Sequence, residues 1–113
     1  RLLAAWKGYD FIMFEYFMTD KYGHKRDRGN LLSCVDTLNR FLGGVLSGMD
    51  PDRDAVLVVS DHGNAEDITT GSHTLNRVPC ILFSRDEGAV RIFEESVRDL
   101  TDTYRTVVDS LKV

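Results

Sequence analysis

The chain has 113 residues, of which 42% are hydrophobic and 28% charged, a balance typical of one globular domain with a core of its own. Its 14 basic and 18 acidic side chains give a formal net charge of -4, which disfavours a nucleic-acid-binding surface and agrees with carboxylates gathered around cations. No apolar stretch approaches the roughly 20 residues that a membrane-spanning helix needs, so we expect no membrane partner.

The two cysteines, Cys34 and Cys80, lack the close spacing of a zinc-binding or redox pair. Cys34 falls in a helical pattern and Cys80 in an apolar, strand-like run, and free cysteines in such positions are usually buried. We therefore expect two reduced, buried thiols, and we predict a cytoplasmic location.

The N-terminal half predicts a helix, a strand and a second helix in chain order. Residues 1–7 have the pattern of a helix end that stops at Gly8. Residues 9–18 form an aromatic and β-branched run that is apolar on both faces, which is typical of a central strand in a mostly parallel sheet. Residues 30–47 predict an amphipathic helix that covers this sheet. Its apolar stripe consists of Leu31, Val35, Leu38, Leu42 and Val45, widened by Leu32, Phe41 and Leu46.

The C-terminal half predicts further strands around a long loop. Residues 55–60 and 78–83 are short apolar runs typical of strands, and residues 61–77 between them form a loop of a length usually kept for function. Residues 90–93 indicate a short edge strand. Residues 100–111 predict an amphipathic helix that starts with Thr101 or Asp102 as its cap. The alternation of strands and helices predicts an α/β fold, a layered sandwich with a mostly parallel sheet flanked by helices, in a single domain over residues 1–113.

Acidic residues and histidines cluster where the predicted strands end. Asp20 and Asp61 each follow a strand, and parallel α/β sheets place their binding sites at those carboxyl ends. Asp20 and His24 are four residues apart, so a tight turn or one helical turn can bring both side chains to the same ion. Asp61 and His62 are neighbours, and Gly63 allows the irregular backbone that lets adjacent side chains converge.

The chemistry of these side chains predicts a centre for divalent metal ions. Carboxylate oxygens mixed with imidazole nitrogens suit Mn²⁺ or Zn²⁺ better than Ca²⁺, which prefers oxygen ligands alone. His73, from the long loop, raises the number of candidate ligands to five. That number exceeds what one catalytic ion with an open position needs. It approaches the number expected for two ions about 3.5–4 Å apart, which stabilise the attacking and leaving oxygens of a phosphoryl group.

Each candidate ligand also has a purely structural interpretation. Asp20 is compatible with a helix cap, the stretch Asp61-His62-Gly63 with a polar turn, and His73 with a surface histidine. All 3 histidines of the chain fall at these positions, which favours a common site over separate coincidences.

Other charged residues near the candidate site leave two interpretations open. The basic run at residues 25–28 is typical of a solvated helix start and is also compatible with a phosphate clamp. Glu15, Glu66 and Asp67 are either hydrogen-bond partners of ligating histidines or solvated acids.

A longer motif surrounds the candidate ligands. It consists of Thr19-Asp20, Gly23-His24, Asp61-His62-Gly63-Asn64-Ala65-Glu66 and His73-Thr74-Leu75-Asn76-Arg77-Val78-Pro79. This combination resembles the C-terminal metal-binding half of the alkaline phosphatase superfamily, with the greatest likeness to the metalloenzyme domain of cofactor-independent (2,3-bisphosphoglycerate-independent) phosphoglycerate mutases and phosphopentomutases. Residues 100–111 resemble the closing helix of that family, so the likeness spans nearly the whole chain.

The resemblance implies a role for each candidate ligand. Asp20, His24 and His73 would bind one metal ion, and Asp61 with His62 would bind the other. The implied cofactors are therefore two divalent ions, Mn²⁺ or Zn²⁺, which matches the ligand count obtained from the residues.

Two parts of the family's site have no counterpart in this chain. In the family, an aspartate near the N-terminus completes the second ion site, and a serine or threonine nucleophile becomes phosphorylated. Ser60, Ser72 and Thr74 lie near the candidate site but do not match that nucleophile. We therefore expect the chain to be the C-terminal part of a longer enzyme and to be inactive by itself, because no covalent intermediate forms without the attacking oxygen.

The expected function is that of the metal-binding part of a two-metal phosphoryl-transfer enzyme, a phosphomutase or a phosphatase-like hydrolase. Its partner would be a small phosphorylated substrate, held together with the missing N-terminal part. The alternatives are a non-catalytic metal or phosphate binding module and a plain interaction domain without an ion. We expect no nucleic-acid partner, and an exposed sheet edge would predict a homodimer if neighbouring strands are lacking.

Overall fold

The computed structural model of the chain describes residues 2–111. Within them the chain contains both helices and strands, with two consecutive strands between three N-terminal and two C-terminal helices, and is therefore of mixed α and β composition. In chain order the elements are α1 (Leu2–Trp6), α2 (Met18–His24), α3 (Arg28–Gly48), β1 (Val56–Val59), β2 (Cys80–Phe83), α4 (Glu87–Ser96) and α5 (Asp102–Ser110).

The internal contacts of the chain define two compact units. The first unit combines the N-terminal stretch up to Ile12, the segment Gly48–Val58 and the C-terminal part from Cys80. The second unit combines Met13–Ser47 with Val59–Pro79. All the candidate metal ligands belong to the second unit.

Helix α3 carries the core of the second unit. The buried apolar side chains of the described residues are Leu31, Cys34 and Val45, which lie along one face of this helix. Phe41 on the same helix stacks on Phe14, with ring centroids 4.6 Å apart. The predicted amphipathic helix is therefore confirmed, although Val35, assigned to the stripe, is half exposed to solvent at 50%.

Side-chain hydrogen bonds join the segments of the first unit. The Ser84 hydroxyl donates to the Asp54 carbonyl at 3.0 Å, and the Arg85 guanidinium contacts both carboxylate oxygens of Asp52 at 3.1 and 3.2 Å. Helices α4 and α5 pack against each other. Asp86 caps α4 by accepting a hydrogen bond from the Ala89 amide at 2.7 Å, so the edge strand predicted at residues 90–93 was wrong. This capping signal outweighs the β-branched residues that follow it.

The sheet of the described residues is two-stranded and antiparallel, with β1 paired to β2. The Ser60 amide extends the pairing by donating to the Pro79 carbonyl at 3.2 Å. The mostly parallel sheet expected from the sequence is not found within residues 2–111. A parallel pair needs a crossover element, usually a helix, whereas residues 60–79 form a loop that folds back and joins neighbouring antiparallel strands.

The apolar segment before α2 is not a strand. Residues 9–17 have no regular secondary structure, and Tyr9, Met13 and Phe17 expose 69%, 71% and 69% of their surface. The strand predicted here, with both faces buried, was therefore wrong: a strand requires a hydrogen-bonding neighbour, and the described residues supply none for this segment.

Helix α2 ends in a Schellman motif with an arginine at the position usually occupied by glycine. The Arg26 amide donates to the Gly23 carbonyl at 2.9 Å, and the Asp27 amide donates to the Tyr22 carbonyl at 3.0 Å. This geometry places Arg26 at φ 54°, a left-handed conformation that L side chains disfavour. Asp27 then caps α3, because its carboxylate accepts from the Asn30 amide at 3.1 Å.

None of the helices described between residues 2 and 111 is long and apolar enough to cross a membrane. Both cysteines are free, with Cys34 buried and Cys80 half-buried.

The left-handed turn at Arg26 makes a stability prediction. Arg26→Gly should raise the free energy of unfolding by about 0.5–1 kcal/mol. Glycine adopts the left-handed conformation without the cost of roughly 1–2 kcal/mol that other residues incur, but its greater conformational entropy in the unfolded state offsets part of this stabilisation. Urea denaturation followed by circular dichroism measures the change. Lys25→Gly is the matched control, since Lys25 is right-handed at φ -80°, and this change should destabilise the protein. A loss of stability in Arg26→Gly would contradict the strain at this turn.

Candidate metal centre

The first two candidate ligands lie on helix α2. Asp20 is in its first turn and His24 is its last residue, so the i, i+4 spacing puts both side chains on one face. The Asp20 carboxylate oxygen Oδ1 lies 3.2 Å from His24 Nε2. The helical turn expected from the sequence is therefore present, although no strand precedes it.

The other three candidates come from the loop after β1. Asp61 and His62 follow the strand, and the loop returns through an antiparallel bridge between Gly63 and Thr74, whose amide donates to the Gly63 carbonyl at 2.9 Å. A side chain at Gly63 would overlap the Thr74 hydroxyl, so the close approach requires glycine. The bridge brings His73 onto His62, with stacked rings 3.6 Å apart.

All three histidines surround one oxygen of Asp20. Asp20 Oδ1 lies 3.2 Å from His24 Nε2, 3.6 Å from His73 Nε2 and 3.8 Å from His62 Nε2. The Nε2 atoms of His24 and His73 are 3.2 Å apart. The structure thus brings together side chains that are up to 53 residues apart in the sequence, with Asp20, His62 and His73 within 4.8 Å of one another.

The spacing of these atoms fits ligation of a small divalent ion. Ligand atoms bound at about 2.0–2.2 Å in a tetrahedral arrangement are about 3.3–3.6 Å apart, and the atoms of Asp20, His24 and His73 are 3.2–3.6 Å apart. The backbone also sets the tautomer of His24, because its Nδ1 lies 2.6 Å from the Gly71 carbonyl oxygen and donates to it. Its Nε2 is the ring nitrogen that faces Asp20, at 3.2 Å from Oδ1, and the contact of Nδ1 with a backbone carbonyl is typical of a metal-ligating histidine.

One oxygen of the Asp20 carboxylate has no hydrogen-bond donor among the described residues. Oδ1 is shielded from solvent and accepts no hydrogen bond from the described residues. A carboxylate oxygen in that condition is costly unless a cation compensates it, and a carboxylate oxygen beside three imidazole nitrogens is a donor set that suits a divalent cation.

Asp61 lies at the edge of this cluster. Its side chain is 87% exposed, and its polar neighbour among the described residues is His62 Nε2 at 3.5 Å. Asp61 and His62 form a pair beside the set of Asp20, His24 and His73. Since His62 also approaches Asp20, the two sets adjoin at this histidine.

Asn64 is a residue of the site whose role the sequence reasoning did not identify. Its side chain is buried, with 3% exposed, and its amide nitrogen Nδ2 lies 3.5 Å from His24 Nδ1. A methyl group on Gly23 would overlap the Asn64 side-chain oxygen. Gly23 therefore allows the loop to dock against α2 between Asp20 and His24, and the glycine between two candidate ligands was the available signal.

Glu66 holds the two sides of the loop together. Its carboxylate accepts hydrogen bonds from the Thr74 hydroxyl, from the Asn64 amide at 2.6 Å and from Asn76 Nδ2 at 3.1 Å. These hydrogen bonds, led by that from Thr74, lower the pKa of Glu66 to about 2. Glu66 contacts no histidine among the described residues, so it positions the ligands through the backbone of the loop.

The other two acids in question also lie away from the histidines. Glu15 is exposed, and Asp67 accepts hydrogen bonds from the amide and hydroxyl of Thr69 at 3.0 and 2.6 Å. Both fit the interpretation of solvated acids, with Asp67 closing a local turn.

The contact between Gly23 and Asn64 predicts the effect of a single methyl group. Gly23→Ala should weaken Mn²⁺ binding about 10–100-fold, because it displaces Asn64 and the loop that carries His62 and His73. Isothermal titration calorimetry measures this affinity. Gly43→Ala in α3 is the matched control, since a methyl group there meets nothing within 4 Å, and it should leave Mn²⁺ affinity unchanged. Equal affinities of both variants would refute the docking role of Gly23.

The lowered pKa of Glu66 predicts a loss of stability in acid. The folded chain binds this proton more weakly than the unfolded chain, so the contribution is complete above the ordinary value of 4.5 and disappears as pH falls towards about 2. Glu66→Gln should be less stable at pH 7 and lose less stability over that acid range. Urea denaturation at several pH values tests this, with Glu95→Gln, an exposed acid of α4, expected to follow the wild type.

Comparisons with known proteins identify the family of this chain. Its residues 1–113 match the family model described as the Metalloenzyme superfamily. The chain is 36% identical over 104 residues to the 2,3-bisphosphoglycerate-independent phosphoglycerate mutase of Agrobacterium fabrum, a match that covers 86% of this chain and 20% of the relative. It is 33% identical over 114 residues to the mutase of the same name from Moorella thermoacetica, covering 93% of this chain and 21% of the relative.

The chain therefore spans about a fifth of the length of the curated relatives it matches. A search of solved structures finds no significant match. The family model covers the whole sequence, including each of the five candidate ligands and the loop that assembles them. This chain belongs to the Metalloenzyme superfamily.

Proposed function

We propose that the chain supplies metal-binding residues to a two-metal phosphoryl-transfer enzyme. Asp20, His24 and His73 hold one divalent ion, and Asp61 with His62 contributes to a second. The observation that carries this proposal is the shielded Asp20 oxygen, which lies within 3.8 Å of the Nε2 atoms of all three histidines in a chain of the Metalloenzyme superfamily.

Mn²⁺ and Zn²⁺ are the ions that best suit this set of ligands. Imidazole nitrogens exclude an all-oxygen site of the calcium type, and the absence of thiolates among the ligands excludes the usual structural zinc site. The exposure of the Asp61 carboxylate supports a second ion, because that side chain can bind a cation on the solvent side of His62. Divalent ions at these positions would polarise a phosphoryl group and stabilise the charge that develops on it.

The attacking oxygen is proposed to come from another part of a longer protein. The Ser60 hydroxyl donates to the His62 carbonyl at 2.9 Å, and the Thr74 hydroxyl donates to Glu66. Both hydroxyls therefore hold the loop in place. This chain corresponds to about one fifth of the length of its relatives. We propose that the rest of a longer protein supplies the nucleophile and a further aspartate ligand.

The substrate is proposed to be a small phosphorylated molecule. This follows from the mutases to which the chain is similar, whose name specifies a phosphoglycerate. A phosphomutase and a phosphatase-like hydrolase both agree with the ligand set, since the same pair of ions serves either reaction. A cytoplasmic location and a single domain fragment over residues 1–113 stay predictions. The mostly parallel sheet of the alkaline phosphatase fold stays a prediction for the complete protein, and a homodimer through an exposed sheet edge stays a prediction for this chain.

A non-catalytic metal or phosphate binding module is the second candidate function. The engagement of the Ser60 and Thr74 hydroxyls in structural hydrogen bonds favours it for the isolated chain. The two functions differ in the longer protein, because only the enzyme becomes covalently phosphorylated on a serine or threonine.

Metal addition gives the direct test of the proposed site. Mn²⁺ or Zn²⁺ at a free concentration of 100 times Kd should stabilise the protein by about 2.7 kcal/mol, seen as a rise in Tm by differential scanning calorimetry. Asp20→Ala and His73→Ala should abolish the rise, and the wild-type rise should shrink as pH falls because metal ligation competes with protonation of histidine.

Asp36→Ala is the control for that experiment. Asp36 is an exposed carboxylate on α3 that pairs with Arg40 at 3.0 Å, so its removal should leave the metal-induced rise in Tm intact. An unchanged Tm of the wild type on metal addition, or equal rises in Asp20→Ala, His73→Ala and the wild type, would eliminate the proposed metal site.

A further inference from the structure

The turn between α2 and α3 contains a residue that the metal site does not account for. Arg26 is the non-glycine residue with positive φ among residues 2–111, and it directly follows the C-cap of the helix that carries Asp20 and His24. Glycine would occupy this position without strain. A strained residue that persists beside a functional site gives reason to ask what its side chain does.

The side chain of Arg26 extends towards the loop that carries His73. A β-carbon added to Gly71 would lie 3.5 Å from Arg26 Nε and 2.9 Å from the His24 carbonyl oxygen. Gly71 also accepts the hydrogen bond from His24 Nδ1 at 2.6 Å. Arg26 thus lies next to Gly71, whose carbonyl orients His24. Gly71 is also two residues before His73 in the sequence.

The guanidinium of Arg26 forms no ion pair within residues 2–111. The neighbouring carboxylate of Asp27 instead accepts hydrogen bonds from the Asn30 amide at 3.1 Å and from Asn30 Nδ2 at 2.7 Å, which commits it to the start of α3. The side chain of Arg26 is exposed, so its donors are available to an anion.

We propose that Arg26 binds a phosphate group of the substrate at the rim of the metal centre. This inference rests on the proposed function and assigns a substrate-binding residue to it. The planar guanidinium can donate two parallel hydrogen bonds to phosphate oxygens, a contact that lysine cannot reproduce. The residue in the left-handed turn has its guanidinium beside the loop that carries His73, where Nε lies 3.5 Å from the position of a β-carbon added to Gly71.

The experiment measures binding of inorganic phosphate to the full-length protein that contains this chain, saturated with Mn²⁺, by isothermal titration calorimetry. Arg26→Gly should weaken phosphate binding about tenfold or more, since it removes a charged hydrogen-bonding group while relaxing the backbone. Arg26→Lys should give an intermediate loss, because the charge remains and the paired contact does not. Lys25→Ala is the matched control and should change the affinity less than about twofold.

The outcomes separate this inference from the proposed function. Unchanged phosphate affinity in Arg26→Gly, or an equal loss in Lys25→Ala, would overturn the role of Arg26 while the Mn²⁺ titration still reports on the metal site. Failure of the wild type to bind Mn²⁺, or to bind phosphate once Mn²⁺ is present, would overturn both. Tm values at or above that of the wild type for Arg26→Gly establish that the loss of affinity does not come from misfolding.

Discussion

The candidate site depends on one electrostatic constraint, the position of the Asp20 carboxylate among three imidazole rings. A carboxylate oxygen withdrawn from water needs donors or a cation, and here its neighbours within 3.8 Å are histidine nitrogens. The Gly71 carbonyl orients the ring of His24, so that its Nε2 faces the same Asp20 oxygen at 3.2 Å. The features of the surrounding loop are best understood as the means of keeping these groups together.

Two glycines and the carboxylate of Glu66 keep the candidate ligands close together. Gly23 and Gly63 lie where a side chain would overlap Asn64 and Thr74 respectively. Because both are glycines, the loop can approach α2, and its outgoing segment can approach the returning segment at Thr74. Glu66 joins the outgoing and returning halves through its hydrogen bonds to Asn64, Thr74 and Asn76. The positions of the candidate ligands are therefore fixed by contacts of the loop.

The sequence predicted helix α3 and the strands β1 and β2 better than it predicted how the strands pair. Helix α3 and strands β1 and β2 follow from short-range hydrophobic patterns, and the candidate ligands follow from residue chemistry and spacing. Residues 9–17 were predicted wrongly because an apolar run does not reveal whether a neighbouring strand is present to pair with it, and without one the segment is irregular and largely exposed. The antiparallel pairing was missed although the prediction of a long helix-free loop between the two strands already favoured it. Asn64 was missed because its role depends on a contact with Gly23, 41 positions earlier, which no periodicity reveals.

The shortness of α2 has a consequence for how an ion enters and leaves. This helix has seven residues, fewer than an isolated helix needs to be stable in water, so its form is maintained by contacts with the loop. Asp20 and His24 hold their spacing only while those seven residues stay helical. An ion bound by Asp20 and His24 would therefore stabilise the helix, and local unfolding of this segment would weaken ion binding.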